Sequence, residues 1–351
     1  VSLPSPWTPT SDEWSTWLAD EPRYRLQQLW HGLYHQGLPP SEITTLPGPL
    51  RDRLAALTAP ALAPDAVQRS GDGLTTKWLF SMTDGAAVET VLMHYQDRST
   101  VCVSSQAGCA MGCGFCATGQ GGYRRNLTVG EILEQVMVAR RHAAPRRLSN
   151  VVFMGMGEPF ANYERVLSAV RRLVGDLGIG ARHVTISTIG LVPHIIRFAE
   201  EGLQVGLAVS LHAANDEKRS QLVPVNRRHP IAELVSACEL YREQTSRRVT
   251  FEWAMIDGVN DTLHDADELA ALAHEAGAHV NLIPLNPTPG WPTVGSSPER
   301  IRSFRRRLAD QAVNVTVRAN RGTDIDAACG QLQATKGGPT PVTLGTPPSL
   351  P

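Results

Sequence analysis

Three cysteines fall within eight residues of this chain, Cys109, Cys113 and Cys116, in the pattern C-x3-C-x2-C. Between them stand Ala110, Met111, Gly112, Gly114 and Phe115, mostly small residues that let a backbone wrap closely round an inorganic group. Three thiolates at this spacing hold three corners of a cubane iron–sulfur cluster and leave the fourth iron open to a further ligand. The competing reading is structural zinc, with Cys102 or a histidine as fourth ligand. Such sites usually pair two C-x2-C knuckles, and here one knuckle stands with a single extra cysteine.

Whatever the loop holds must be positioned by its neighbours. Val101-Cys102-Val103 reads as a strand running into it. Thr128 and Glu131 then form a capping box for a helix whose buried stripe is Val129, Ile132, Leu133 and Val136. Val151-Val152-Phe153-Met154 reads as a strand buried on both faces, ending in Gly155-Met156-Gly157-Glu158-Pro159. Asn162 is expected to cap the next helix, with Tyr163, Val166, Leu167 and Val170 inward. Further strands are expected at Val184–Ser187, Val205–Ser210, Val249–Trp253, Val280–Ile283 and Val313–Val317, with helices between them. The fold class is α/β: six strands with crossover helices between about residues 99 and 284 imply a parallel sheet, open or curled into a partial barrel. Chemistry in such folds gathers at the C-terminal ends of the strands, where the cysteine loop and the polar and glycine clusters fall.

The remaining organisation is accessory. Residues 1–10, with three prolines, read as a disordered lead. Residues 11–60 read as a helical accessory domain broken by Pro22, Pro39-Pro40 and Pro47-Gly48-Pro49, with Tyr24, Leu26, Leu29, Trp30 and Leu33 as one packed face. Residues 61–95 read as a β-hairpin linker turning at Thr83-Asp84-Gly85. The core is drawn at 96–322, a short functional segment at 323–334 and a disordered tail at 335–351. With 42% hydrophobic and 19% charged residues, no leader pattern and no long apolar run, the sequence predicts a cytoplasmic monomer off the membrane. Six cysteines in such a chain suit metal or redox chemistry in a reducing compartment better than a disulfide framework. Net charge is −1, yet arginines recur in pairs (Arg124-Arg125, Arg140-Arg141, Arg146-Arg147, Arg171-Arg172, Arg227-Arg228, Arg247-Arg248) and as Arg305-Arg306-Arg307, either solvated helix ends or a phosphate-binding rim.

Longer motifs narrow the reading. Ser104-Ser105-Gln106-Ala107-Gly108-Cys109, Cys116-Ala117-Thr118-Gly119-Gln120-Gly121-Gly122, Gly155–Pro159, Ser210-Leu211-His212, Asn281-Leu282-Ile283-Pro284-Leu285-Asn286-Pro287 and Asp324-Ile325-Asp326-Ala327-Ala328-Cys329-Gly330-Gln331-Leu332 together resemble the RlmN/Cfr family of radical S-adenosylmethionine RNA methyltransferases, the RlmN branch above all. The resemblance runs from about Tyr24 to Leu332. It implies a partial (β/α)6 barrel, a [4Fe-4S] cluster on Cys109, Cys113 and Cys116, and S-adenosylmethionine bound by Gly157, Glu158, Ser187, Ser210, Leu211, His212 and Asn286. The implied substrate is adenosine in 23S ribosomal RNA and in transfer RNA, with a one-electron donor such as flavodoxin as partner.

The same resemblance assigns the outlying cysteines. Cys329 matches the residue that becomes S-methylated, and Cys102 its resolving partner, while Glu89 matches the proton acceptor. The implied sequence begins with methylation of the Cys329 thiolate by one S-adenosylmethionine. A second is reductively cleaved, and the radical it yields takes hydrogen from the S-methyl group. The methylene radical adds to the adenine, giving a protein–RNA crosslink. Loss of the ring proton and attack by Cys102 on Cys329 then release methyladenosine and a disulfide. Such a route suits carbon 2 of adenine, which is electron-poor and closed to direct polar attack on a sulfonium methyl. Cys238, Met154 and Met156 read as packing residues. Two alternatives stand beside this reading: methylation at adenine carbon 8, as in the Cfr branch, and a zinc-stabilised RNA-binding protein without enzymatic activity.

Overall fold

The computed structural model describes residues 3–286, 294–319, 321–327 and 331–332. Twelve strands occur among them: β1 (Ala63–Arg69), β2 (Thr75–Ser81), β3 (Ala87–His94), β4 (Ser99–Cys102), β5 (Gln106–Gly108), β6 (Tyr123–Asn126), β7 (Leu148–Phe153), β8 (Val184–Thr188), β9 (Gly206–Ser210), β10 (Thr250–Met255), β11 (His279–Pro284) and β12 (Val315–Val317). Ten form one sheet in the order β1-β2-β3-β4-β7-β8-β9-β10-β11-β12, and β5 with β6 makes a separate hairpin. Within the ten-stranded sheet, every strand pairing from β4 onward is parallel. Each junction between these parallel strands contains at least one helix, as a parallel connection requires. Strand ends from β7 to β11, together with Arg318 just past β12, line one cavity, so the sheet curls round it.

The parallel strands are β-branched and apolar because helices cover their outer face. Val151, Phe153, Val184, Ile186, Leu207, Val209, Phe251, Trp253, Val280 and Leu282 are all within 1% of full burial. The strand at 151–154 is less uniform than its composition suggests. Val152 and Met154 are only partly buried, because their side of the sheet faces the cavity rather than a helix. The capping box of the helix Val129–Ala143 forms as expected, with Glu131 N–H donating to Thr128 Oγ1 and Thr128 N–H to Glu131 Oε2. Asn162 stands at a helix N-cap position but makes no capping bond. Its Nδ2 donates instead to the Ser105 and Leu127 carbonyls, both at 2.9 Å.

The accessory regions differ from the sequence reading in two ways. Residues 3–10 are a packed anchor rather than a disordered lead. Trp7 is 1% exposed and its Nε1 donates to the Leu33 carbonyl at 3.2 Å. Arg172 donates to the carbonyls of Trp7, Thr8 and Pro9, and Ser5 Oγ donates to buried Glu134 at 2.7 Å. Proline-rich composition hid this, since prolines restrict the backbone but leave carbonyls free to accept. The hairpin at 61–95 is likewise no free linker. It is a three-stranded antiparallel extension of the main sheet, joined through β3 to β4. Within the helical region Leu29 and Leu33 are buried, but Tyr24 is 50% exposed and lies off the packed face.

Trp7→Ala is therefore expected to lower stability by about 3–5 kcal/mol, the usual cost of emptying a buried indole site. Thermal unfolding of the variant beside the parent measures it.

Candidate active site at the C-terminal strand ends

The cysteine loop is anchored at both ends. β5 pairs with β6 in front of and behind it, and Cys109 N–H donates to the Gly122 carbonyl at 2.8 Å. At Gly108, where φ is +76°, a Cβ would stand 2.0 Å from that same carbonyl oxygen, so only glycine fits. Gln120 Nε2 closes the loop by donating to the Gly114 carbonyl at 2.7 Å. Beneath it, Cys113 and Phe115 pack with Ile189, Ala213, Leu222 and Ile256 in an apolar cluster of their own.

A second lock sets the loop against the sheet. Ser105 and Gln106 N–H donate to the Met156 carbonyl, Met156 N–H to Ser104 Oγ, and Glu158 N–H to Gln106 Oε1 at 2.8 Å. The backbones come so close that a Cβ on Gly155 would lie 2.7 Å from the Val103 carbonyl oxygen. One on Gly157, at φ +97°, would lie 2.5 Å from Gln106 Cβ. These glycines thus serve protein–protein contact first, while Gly157 still borders the cavity.

That cavity, open to solvent, is lined by Cys109, Cys113, Cys116, Gly157 and Glu158. Ser187, Ser210, His212 and Asn286 line it too, which unites all but one of the expected cluster and cofactor residues. The exception is Leu211, whose side chain is fully buried in the core. Its backbone works instead, N–H donating to the Glu252 carbonyl and C=O accepting from Arg219 Nε. Cys238 is buried in the core as expected.

Burial sets the electrostatics. The Glu158 carboxyl, 4% exposed, accepts from the Phe160 and Ile189 amides, yet desolvation outweighs them and pushes it up to about 7. Burial takes His212 down to about 3, helped by the Arg219 charge. His212 Nδ1 accepts from Ala254 N–H at 3.0 Å, so the neutral ring carries its proton on Nε2. Asn260 Nδ2 holds the His212 carbonyl at 2.7 Å and so steadies its φ of +60°, and the ring meets Phe115 edge-on at 4.7 Å.

Burial also pushes the Cys109 thiol up to about 12 and Cys113 well above the ordinary range, with Glu158 and the neighbouring sulfurs adding to both. Such thiols become thiolates only against a strong local cation, which an iron–sulfur core supplies. Arg219, wholly buried under the loop, adds a positive charge; burial lowers it to about 10 and an ionised Cys113 raises it. Its donors go to the Ile189, Leu211 and Ser210 carbonyls and to Asn226 Oδ1. Donor type, a dry wall and a buried cation fit an anionic cluster. Among the described residues no three His, Cys, Asp or Glu side chains are grouped to hold a single metal ion. A cubane has no such need, since its thiolates bind separate irons.

Cys102 lines a second, much smaller cavity with Met93, Tyr95, Arg321, Ala327 and Leu332. Met154, Ile283, Arg318 and Leu332 border both cavities. Cys329 lies outside the described residues, but Ala327 and Leu332 flank it in sequence, and the Leu332 carbonyl accepts from Thr118 Oγ1 at 2.6 Å. Glu89 lines neither cavity. It is 6% exposed on β3, and the register Val91↔Cys102 puts its side chain on the same sheet face as Cys102. Lys77 Nζ stands 3.1 Å from Glu89 Oε1, so this carboxylate is not the solvated group a linker would carry.

Sequence reasoning missed Glu252, Arg318, Arg219 and Lys77. Glu252 is a buried cavity carboxyl held up by desolvation and down by Arg318 and Asn281. As single residues in a strand, a short helix or a linker they carried no spacing signal. The arginine pairs divide: Arg125 bonds Asp84 and Glu131, Arg172 the lead and Asp176, Arg307 Asp267, all structural.

The Glu158 carboxyl makes the cluster-free protein sensitive to pH. With a folded value near 7 against about 4.5 unfolded, the folded form holds more protons in that window, so this group's contribution to stability falls as pH rises through it. Chemical denaturation is expected to show wild type losing roughly 2 to 3 kcal/mol relative to Glu158→Gln between pH 5 and pH 8.

Residues 103–273 match the model of the radical SAM superfamily. A protein from Frankia alni named probable dual-specificity RNA methyltransferase RlmN is 50% identical over 91% of this chain and 80% of its own length. One of the same name from Chloroflexus aurantiacus is 50% identical over 89% of this chain and 87% of its own. The solved structure of a radical SAM methyltransferase from Sphaerobacter thermophilus superposes with a TM-score of 0.92 at 51% identity, covering 95% of this chain and 100% of that one. With the family come its cofactors, a [4Fe-4S] cluster and S-adenosylmethionine. The cavity at the strand ends, the paired chambers and these matches lead to one assignment: the chain belongs to the radical SAM superfamily and, within it, to the RlmN family of RNA methyltransferases.

Proposed function

We propose that this enzyme methylates carbon 2 of an adenosine in RNA, with 23S ribosomal RNA and transfer RNA as substrates, through a methyl group carried on Cys329. The observation that carries the proposal is the pair of adjoining chambers. One gathers Cys109, Cys113 and Cys116, the other holds Cys102, and Leu332 borders both while Ala327 borders the second.

The bound cluster and S-adenosylmethionine supply one-electron cleavage of a sulfonium and, through it, hydrogen-atom abstraction. Cys109, Cys113 and Cys116 would hold the cluster. Glu158 would take a cationic or hydroxyl donor of S-adenosylmethionine, an ammonium there restoring the carboxylate that burial disfavours. His212 Nε2–H, Ser187, Ser210, Asn286 and the Gly157 backbone would complete the pocket. Leu211 contributes only by fixing the chain around Ser210. The methyl carbon carried on Cys329, short of one hydrogen atom, forms the bond to the adenine ring, and Glu89, on the sheet face of Cys102, accepts the ring proton on a carboxylate oxygen. The Cys102 thiolate then attacks the Cys329 sulfur, releasing the methylated base and leaving a disulfide for an external thiol to reduce. A soluble one-electron donor of the flavodoxin class would serve the cluster. No helix among the described residues is long and apolar enough to cross a membrane, and the compartment proposed is the cytosol, where its RNA substrates are.

Nuclease digestion and mass spectrometry of RNA from cells with and without the protein tests the position. 2-Methyladenosine present only with the protein is expected, whereas 8-methyladenosine would assign it to the carbon-8 reaction. Cys329→Ala is expected to abolish methylation outright. Cys102→Ala should accumulate covalent protein–RNA adduct, visible as a nuclease-sensitive shift on a denaturing gel, with product at background.

A further inference from the structure

The antiparallel extension β1–β3 does more than enlarge the sheet. Lys77, on β2, pairs with Val91 in register, so it shares one sheet face with Glu89, Val91 and Cys102. It is 7% exposed, and its ammonium reaches Glu89 Oε1 at 3.1 Å and the Asp326 carbonyl at 3.2 Å. Asp326 is three residues before Cys329. Two further contacts seat the same segment on the same strands. Gly71 N–H, in the β1–β2 turn, donates to Asp324 Oδ2 at 2.8 Å. Gly322 lies so near Thr75 that a Cβ on it would stand 2.9 Å from Thr75 Cγ2.

We propose that Lys77 is a positioning residue for methyl transfer: one ammonium orients the Glu89 carboxylate and seats, through the Asp326 carbonyl, the segment that carries Cys329. The inference rests on the roles given to Glu89 and Cys329 above. A lysine suits this task because its three donors radiate from one atom and serve two acceptors on different parts of the chain. The pair is desolvated, so water competes little for either contact. The extension is then a dock for the methyl carrier, which gives its three antiparallel strands a role beside the parallel sheet.

Lys77→Met, Lys77→Arg and Glu89→Gln, each in the full cluster-loaded enzyme, test this with three readouts: iron per chain, hydrogen–deuterium exchange of residues 321–327, and the partition of RNA between methylated product and covalent adduct. Lys77→Met is expected to keep its iron, speed exchange in 321–327 and stall as adduct, with product down about 100-fold, the scale of a small misplacement at a reacting centre. Lys77→Arg should restore both exchange and product to within about tenfold, since it keeps the charge and donors. Glu89→Gln should stall as adduct without faster exchange. Wild-type product from Lys77→Met, or exchange in 321–327 unchanged, overturns the proposal. So does a loss tracked by iron alone, which marks a purely structural pair. Glu89→Gln turning over normally overturns the base assignment instead, whereas Glu89→Gln stalling beside an active Lys77→Met overturns the Lys77 role alone. If Lys77→Met fails to fold, Lys77→Met with Glu89→Gln removes both buried charges; faster exchange in 321–327 must persist in it, and its absence refutes the docking role.

Discussion

The arrangement depends on a steric constraint: the turn after β4 and the turn after β7 meet backbone to backbone. Gly155 and Gly157 make the approach possible, and Ser104, Ser105 and Gln106 turn it into hydrogen bonds. Because the cysteine loop leaves directly from Gln106 through β5, this contact decides where three thiols stand relative to Glu158 and the strand ends. The Gln135 side chain extends the lock. It bonds both backbone groups of Ser104 and also Thr90 Oγ1, while Ser104 Oγ donates to the Glu89 carbonyl. One turn therefore ties the loop, the β7 end and the β3 strand together.

Charge inside the site is set chiefly by burial. Burial keeps the Cys109 and Cys113 thiols and the His212 imidazole neutral and raises the Glu158 carboxyl to about 7, where it is only partly ionised near neutral pH. Arg219 is the exception, a buried cation bonded to carbonyls and an amide oxygen rather than to a carboxylate. Its guanidinium joins the ends of β8 and β9 while leaving net positive charge beneath the loop. That combination favours anionic iron–sulfur chemistry.

Features encoded locally were legible in the sequence. The strand–helix alternation, the Thr128–Glu131 capping box and the hairpin about Gly85 follow from short-range patterns, and the structure has them, with strand ends shifted by up to three residues. The motifs around the cysteines, Gly157–Glu158 and Ser210–His212 identified one cavity because each lies at the end of a parallel strand. What escaped was set by partners distant in sequence. Asn162 has the right residue type for a cap, but tertiary contacts to Ser105 and Leu127 claim its side chain. Trp7 looked like part of a proline-rich lead until its indole met Leu33 and its backbone met Arg172. Lys77 and Arg219 could not be singled out, because a buried cation in sequence is indistinguishable from a solvated one.

The sheet adds its strands in nearly the order in which the chain is made, from β1 at one edge to β12 at the other. The segment 322–327 breaks that order by returning to β2 and to the β1–β2 turn. Barrel and extension are thus free to assemble vectorially as they leave the ribosome, but the chamber around Cys102 stays unfinished until the last of these residues emerges. An unfinished chain would hold the cysteine loop without its acceptor segment. Emergence of this segment is in that sense what completes the lining of the cavity beside Cys102.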